Sequence, residues 1–439
     1  MRRWIVLVAV LLLAVPAVAL AAQVGDQRQF WGWDLSVMPP ADRQFDATCR
    51  GVGEHGYVWV EDAVANDLVQ ADVDAILATW DTRTPAGSIH PDQGSFAVDT
   101  GVFGDPPDVD SDPKIHLLYY DIGSYQGYTF DGFFRAQDEE PGATSNLAEV
   151  LHLNSRGPNA PASDYMLAVA AHEFTHAIIY HYDKAEADWV QEALAEAAMT
   201  VCGYYTDQAA VAGFAANPQT PLIPPSSEQQ DYGAALLFGT YLYERFGEGF
   251  LRDLVVEPKT DISGIQSVLD ADAAGLAFAD LFGEWTAANA ADLPSQDDGR
   301  WGYTLLDPPV FHSTVLIAGQ DNAFAVPGWA TQYFRFGVQR LDIYEIAVDS
   351  TNVNDLRAHV IEKNLDLTES YRVDPIPTDE LSDGFQQTIC HDGAAMIAVA
   401  HAAAGASAEG MLTATLVGKA NADACGEAKK HKKESGCGR

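Results

Sequence analysis

Apolar positions follow three successive patterns along the chain. From Trp4 to Ala22 they form a nearly unbroken run, preceded by Arg2-Arg3, interrupted by Pro16 and ending in Ala19-Leu20-Ala21. A charged start, an apolar centre and a small-x-small end predict a cleaved export signal over 1–21, with an uncleaved anchor as the alternative for a run this long. From 165 to about 291 the apolar period is helical. Met166, Leu167, Val169, Ala170, Phe174, Ala177 and Ile178 make a stripe over about 165–182, with Asp164 as the expected N-cap. Trp189, Val190, Ala193, Leu194 and Ala197 make a second stripe, so these two helices span about 165–200. A third helix opens near Asp231 and stops at Gly247, and 278–285 closes the block. Beyond Pro308-Pro309 the period changes to short β-rich runs at 314–318, 332–338, 342–348, 357–361, 385–390, 396–401 and 412–417. The predicted fold class is α+β. A mixed unit over 22–305 is followed by an all-β sandwich-like domain over 306–418 and a basic tail, expected to be disordered, over 419–439.

The first helical stripe contains His172-Glu173-Phe174-Thr175-His176. Residues four apart lie one turn above each other, so His172 and His176 present two imidazoles to one point, which is the histidine half of a zinc site. Glu173 sits beside that point as a general base for the water that the metal activates. The alternative is a pair of buried, hydrogen-bonded histidines. His181 lies five positions past His176, about 140° around the helix, and points away. The second stripe leaves Glu192 and Glu196 one turn apart on a shared strip. One can bind metal while the other accepts the free ring N–H of a ligating histidine; a solvated acidic strip is the other reading. Tyr232, near the first turn of the third helix, is either a phenol that donates to a developing oxyanion or a core tyrosine.

His172 to His176 followed by Trp189-Val190-Gln191-Glu192-Ala193-Leu194-Ala195-Glu196 resembles the gluzincin pattern of HExxH and a later W-x-x-E helix. The short gap of sixteen positions from His176 to Glu192 is similar to that of the hyicolysin-like secreted bacterial metallopeptidases. Tyr57-Val58-Trp59-Val60-Glu61-Asp62 and Asp112-Pro113-Lys114-Ile115-His116-Leu117-Leu118 extend the likeness to roughly 24–290. The resemblance implies a zincin-like catalytic domain and a zinc endopeptidase acting on protein or peptide substrates. In it His172, His176 and Glu192 hold zinc, Glu173 activates the water, Tyr232 assists and Glu196 supports from behind. Glu196 stands where thermolysin-like enzymes carry their ligand, so the choice between the two glutamates stays open. The resemblance also makes 149–154 a sheet-edge strand that pairs with an extended substrate. The rival class is a catalytically silent zincin-fold surface or adhesion protein that binds extracellular targets without cutting them.

Composition narrows the partners. The chain carries 63 acidic residues against 25 lysines and arginines, a formal charge of −38. Such a surface repels nucleic acid and anionic membranes and fits an exported, secreted or cell-envelope protein, expected to be a monomer with no membrane span once the signal is removed. Spare carboxylates make calcium a second candidate cofactor at Asp108-Val109-Asp110-Ser111-Asp112. Pro113 and Tyr119 stand where an EF-hand loop needs glycine and glutamate, which favours an acidic turn. Of the five cysteines, Cys390 could pair with Cys425 and Cys49 with Cys202, although neither pairing follows from sequence, and the odd one, Cys437, lies in the basic tail.

Overall fold

The computed structural model describes residues 21–205, 207–225, 228–272 and 275–425; positions 1–20 of the segment read as an export signal and positions 426–439 of the segment read as a basic tail, with Cys437, lie outside the described residues. Gln27–Asp34 (β1), Ala41–Val52 (β2) and Gly56–Glu61 (β3) form an antiparallel meander. Helices Gln70–Asp81 (α1) and Ser95–Phe103 (α2) then carry the chain to Ile115–Tyr120 (β4), which pairs parallel to β3. A hairpin of Ser124–Tyr125 (β5) and Tyr128–Thr129 (β6) precedes Gly132–Phe134 (β7) and Val150–Asn154 (β8). The sheet order is β1-β2-β3-β4-β8-β7. Period-two alternation gives it two buried faces. Tyr57, Trp59, Leu118, Tyr120 and Val150 enter one core, while Val58, Val60, Leu117, Tyr119, Leu151 and Leu153 enter the other, beneath the helices.

The expected edge strand is displaced by one position. β8 is paired on both sides, parallel to β4 and antiparallel to β7. The three-residue β7 therefore takes the edge, because the chain loops back after β6 and covers the side of β8 that would have been open.

Among the described residues seven α-helices follow: Asp164–Tyr182 (α3), Asp188–Val201 (α4), Gln208–Ala216 (α5), Gln229–Phe246 (α6), Glu248–Val256 (α7), Asp261–Asp272 (α8) and Phe278–Ala291 (α9). Ser163, not Asp164, caps α3, its hydroxyl accepting from the Met166 N–H at 3.4 Å, and Asp164 stands in the first turn where an acid favours the helix dipole. The Cys49–Cys202 pair does not form. Cys49 is buried in β2, where its thiol donates to the Gly51 carbonyl, and Cys202 ends α4, where its thiol meets Asp99.

Strands Thr314–Val315 (β9), Asn322–Val326 (β10), Ala330–Val338 (β11), Asp342–Ser350 (β12), Leu356–Lys363 (β13), Ser370–Ile376 (β14), Phe385–Thr388 (β15), Gly393–His401 (β16) and Ala408–Lys419 (β17) complete the described chain. β10 and β14 have no counterpart among the runs read from sequence. Asn322–Val326 is short and alanine-rich, and Ser370–Ile376 carries Pro375 on an edge strand, where its missing N–H faces no partner. The sheets β10-β17-β12-β15 and β14-β13-β16-β11-β9 share one core through Phe324, Ile346, Phe334, Val360 and Ile397. Alternate residues of the second sheet point the other way, Tyr333, Ile361, Met396 and Ala398 joining the helical core. α9 lies on that face. The Tyr333 hydroxyl donates to the Thr286 carbonyl at 2.6 Å and Arg357 pairs with Asp280 at 2.5 Å. The β region is thus held by its outer sheet face and not by a linker alone. Cys390–Cys425 is a disulfide that ties the end of β17 back to the loop after β15.

α4 and α6 cross in near contact because position 239 has no side chain. A Cβ on Gly239 would sit 1.8 Å from the Ala193 carbonyl oxygen. Gly239→Ala is expected to lose about 1–3 kcal/mol of unfolding free energy in a urea titration, since the helices must separate. An unchanged midpoint would mean that the two helices do not meet there.

Candidate metal centre

α3 is anchored by its apolar stripe. Phe174 packs between Trp80 of α1 and Phe96 of α2, with ring centroids at 5.1 and 5.3 Å, and Met166, Ala170 and Ile178 sink into the same core. That orientation turns His172 and His176 toward α4 and Glu173 toward β7. One ligand atom each from His172, Glu173 and His176 lies within 4.8 Å of the others.

Two helices complete the arrangement. The Nε2 atoms of His172 and His176 face each other at 3.1 Å. The Glu192 carboxylate from α4 reaches both of them, Oε2 at 3.5 Å from His172 and Oε1 at 3.7 Å from His176. One turn later Glu196 meets the opposite ring nitrogen, with its Oε1 3.4 Å from His172 Nδ1. The two glutamates therefore face different atoms of the same imidazole. Glu173 is held by its neighbour strand, its Oε2 accepting the Phe134 N–H of β7 at 2.8 Å. Sequence patterning offers no sign of that contact, since a three-residue strand carries no periodicity. Tyr232, near the start of α6, lines a cavity with Glu192. His181 is exposed against Tyr182, away from the cluster.

Electrostatics follow from burying five ionisable groups together. Burial pushes Glu173 up to about 7, moderated by His172, and it also raises Glu192 and Glu196 above the usual carboxylate range. Burial acts to lower the His172 pKa, but Glu196, Glu173 and Glu192 outweigh it and hold the imidazole in the charged form, whereas burial and that charge push His176 far down. Burial and the charges on Glu192, Glu196 and Glu173 raise the Tyr232 phenol. Asp207, which caps α5 through the Ala210 N–H, also feels His172.

The donor set fits a zinc ion. Two imidazole nitrogens and a carboxylate converge on one point, and Oε2 of Glu192 and Oε2 of Glu196 are buried with no hydrogen-bond partner. Shared between protein atoms alone, the single Nε2–H of a charged His172 faces two acceptors, His176 Nε2 and the Glu192 carboxylate, so acceptors outnumber donors.

The Asp108–Asp112 loop is differently occupied. Asp110 accepts the Asp112 N–H at 2.9 Å and pairs with His116 at 3.5 Å, Asp112 accepts the Tyr57 hydroxyl at 2.6 Å, and Glu149 accepts the Val109 N–H. These carboxylates serve the protein's own donors, as an acidic turn does.

No family model and no curated protein matches the chain. Among solved structures that match is the periplasmic g-type lysozyme inhibitor PliG of Aeromonas hydrophila, at TM-score 0.16 and 9% identity, covering 22% of this chain and 82% of that one. Another is a family GH115 4-O-methyl-α-glucuronidase with specificity for decorated arabinogalactans, at TM-score 0.14 and 12% identity, covering 74% of this chain and 54% of that one. At such scores neither likeness bears on fold or activity. Among the described residues no helix is long and apolar enough to cross a membrane.

Two carboxyls near the loop set a pH response. Burial and the charge of Glu149 hold Glu139 up to about 8, and burial holds Glu149 up to about 7 against the Val109 N–H that favours its ionised form. A carboxyl with a raised folded pKa adds stability that is complete below its unfolded value near 4.5 and is lost as pH climbs through the folded value. The melting temperature is expected to fall as pH rises from about 5 to about 8, and Glu139→Gln to flatten part of that slope. A slope that Glu139→Gln leaves intact would assign the response to other groups.

Proposed function

We propose that the chain is an exported zinc-dependent endopeptidase of the gluzincin type, acting on extracellular or cell-envelope polypeptides. The observation that carries the reading is the convergence of His172 Nε2, His176 Nε2 and the Glu192 carboxylate beside a buried, near-neutral Glu173. In this reading the helices and first sheet are a zincin-like catalytic unit, and β9–β17 form a sandwich-like accessory built onto it.

His172, His176 and Glu192 would hold the zinc, and Glu196 would accept the Nδ1–H of His172, leaving the Nε2 lone pair aimed at the metal. Bound there, the ion supplies Lewis-acid polarisation of a peptide carbonyl and acidifies water. Glu173 then takes the proton from the attacking water and returns it to the leaving amine, a role suited to a carboxyl with a pKa about 7. The Phe134 N–H keeps that carboxylate oriented. Tyr232, whose phenol stays protonated at neutral pH, donates to the developing oxyanion. Apart from the Phe134 N–H that Glu173 takes, the edge strand β7 offers its outer backbone to an extended substrate, which would suit cleavage within polypeptides.

Purified mature protein is expected to hydrolyse casein in a chelator-sensitive manner, and Glu173→Ala to abolish hydrolysis while keeping its zinc. Zinc retained by the wild type with no hydrolysis of any protein would replace the enzyme with a binding module. Metal content separates the two glutamates. Glu192→Ala is expected to lose zinc, and Glu196→Ala to bind it about 10–100-fold more weakly. Loss from Glu196→Ala alone would reverse their roles. Tyr232→Phe is expected to lower the turnover number by about 10²-fold or more, as loss of an oxyanion donor does, with little change in KM. An unchanged turnover number would remove the phenol from the reaction.

A further inference from the structure

Glu192, whose carboxylate faces both histidines, also forms one wall of a cavity of about 200 Å³. The space suits one side chain, well below the roughly 300–1,000 Å³ of pockets for drug-sized ligands. Half of its lining is apolar, Trp189 from α4, Leu222 and Pro225 from the loop after α5, and Ala235 from α6; Tyr232 and the carboxylates of Asp188, Glu192 and Asp231 complete it. Leu222 and Trp189 are buried, and the Trp189 indole N–H is tied to Asp261 at 2.7 Å, so that wall is rigid. The charged groups at the cavity are all acidic. Asp231 accepts the Glu228 N–H at 2.8 Å within the α6 capping box, and Asp188 stands exposed in the first turn of α4, close enough to Glu192 to raise its pKa. Asp188 makes no ion pair among the described residues, and no lysine or arginine lines the cavity.

An apolar sleeve with a carboxylate at its rim discriminates by the end of the ligand. A purely aliphatic or aromatic side chain fills the sleeve but leaves the acidic rim desolvated without a counter-charge, and an acidic side chain is repelled. A lysine or arginine buries its methylene stem against Trp189, Leu222 and Pro225 and carries its charge to the rim.

We infer that this cavity receives a substrate side chain with an aliphatic stem and a cationic head, so that peptides with lysine or arginine flanking the scissile bond are the preferred substrates. Asp188 is the specificity-determining residue. The inference rests on the peptidase reading for the word substrate, and its test is made on a variant that does not need to cut.

Glu173→Gln protein with stoichiometric zinc is titrated calorimetrically with peptides in which lysine or its uncharged isostere norleucine is moved through successive positions. At one position lysine is expected to bind about fivefold more tightly, a preference that shrinks in high salt. Adding Asp188→Asn is expected to bring the ratio close to one and Asp188→Glu to restore it, with melting temperatures confirming that each variant is folded. Equal binding of the two peptides at every position, tighter binding of norleucine, or a lysine preference that survives Asp188→Asn would each overturn the inference. Wild-type protein that fails to cleave the lysine peptide would sink the peptidase reading, while the lysine-to-norleucine ratio would still decide the fate of the cavity.

Discussion

Three carboxylates and two imidazoles share one buried space between α3, α4 and β7, and charge balance in that space is the constraint on which the centre depends. Glu173 and Glu196 are almost fully enclosed, and Glu192 is open only on its cavity side. Enclosed carboxylates lose hydration that only a counter-charge or hydrogen-bond donors restore. The protein supplies part of that, through Phe134 N–H to Glu173 and the His172 ring to Glu196. Glu192 and His176 Nε2 are left to share the one Nε2–H of His172, and Oε2 of Glu192 has no hydrogen-bond partner, an imbalance that a divalent cation would relieve.

The surrounding packing serves that geometry. α3 takes its rotation from Phe174 between Trp80 and Phe96, and α4 lies against α3 on one side and α6 on the other. Gly239 lets α6 approach the Ala193 backbone, and Gly233 does the same for α6 against Ala210. Small residues at these crossings bring Tyr232 and Glu192 to the walls of one cavity. The β region adds rigidity from the far side, because the sheet that carries Tyr333 and Arg357 buries its outer face on α9. The helical core is therefore continuous with the β region.

Patterning by residue type made the helices of the 165–291 block legible, while Gln70–Asp81 and Ser95–Phe103 were not read from it. The stripe of Met166, Ala170, Phe174 and Ile178 marks α3 to within a residue, and the spacing of His172 and His176 follows from helix geometry alone. Long strands such as Ala330–Val338 and Gly393–His401 were legible in part for the same reason, while Gly132–Phe134, Asn322–Val326 and Ser370–Ile376 were not, being too short or too irregular to show a period. Cysteine pairing divides in the same way. Cys390 and Cys425 meet because the fold returns the end of β17 to the β15 loop, whereas Cys49 and Cys202 lie in different elements and are each satisfied locally.

The sequence by itself determined the local chemistry: a helix that offers two imidazoles and a carboxylate within five residues, a second helix with two glutamates one turn apart, and an acidic surface. Each depends on contacts within a few positions along the chain, where spacing and residue type suffice. Only the tertiary structure decided that Glu192 faces both Nε2 atoms while Glu196 faces Nδ1, that β7 rather than β8 forms the edge, and that Phe134 orients Glu173. Those choices depend on the rotation of α3 about its axis, the closeness of the α4–α6 crossing and the order of strands in the sheet. All three are set by packing between segments far apart in the chain, which no local pattern records.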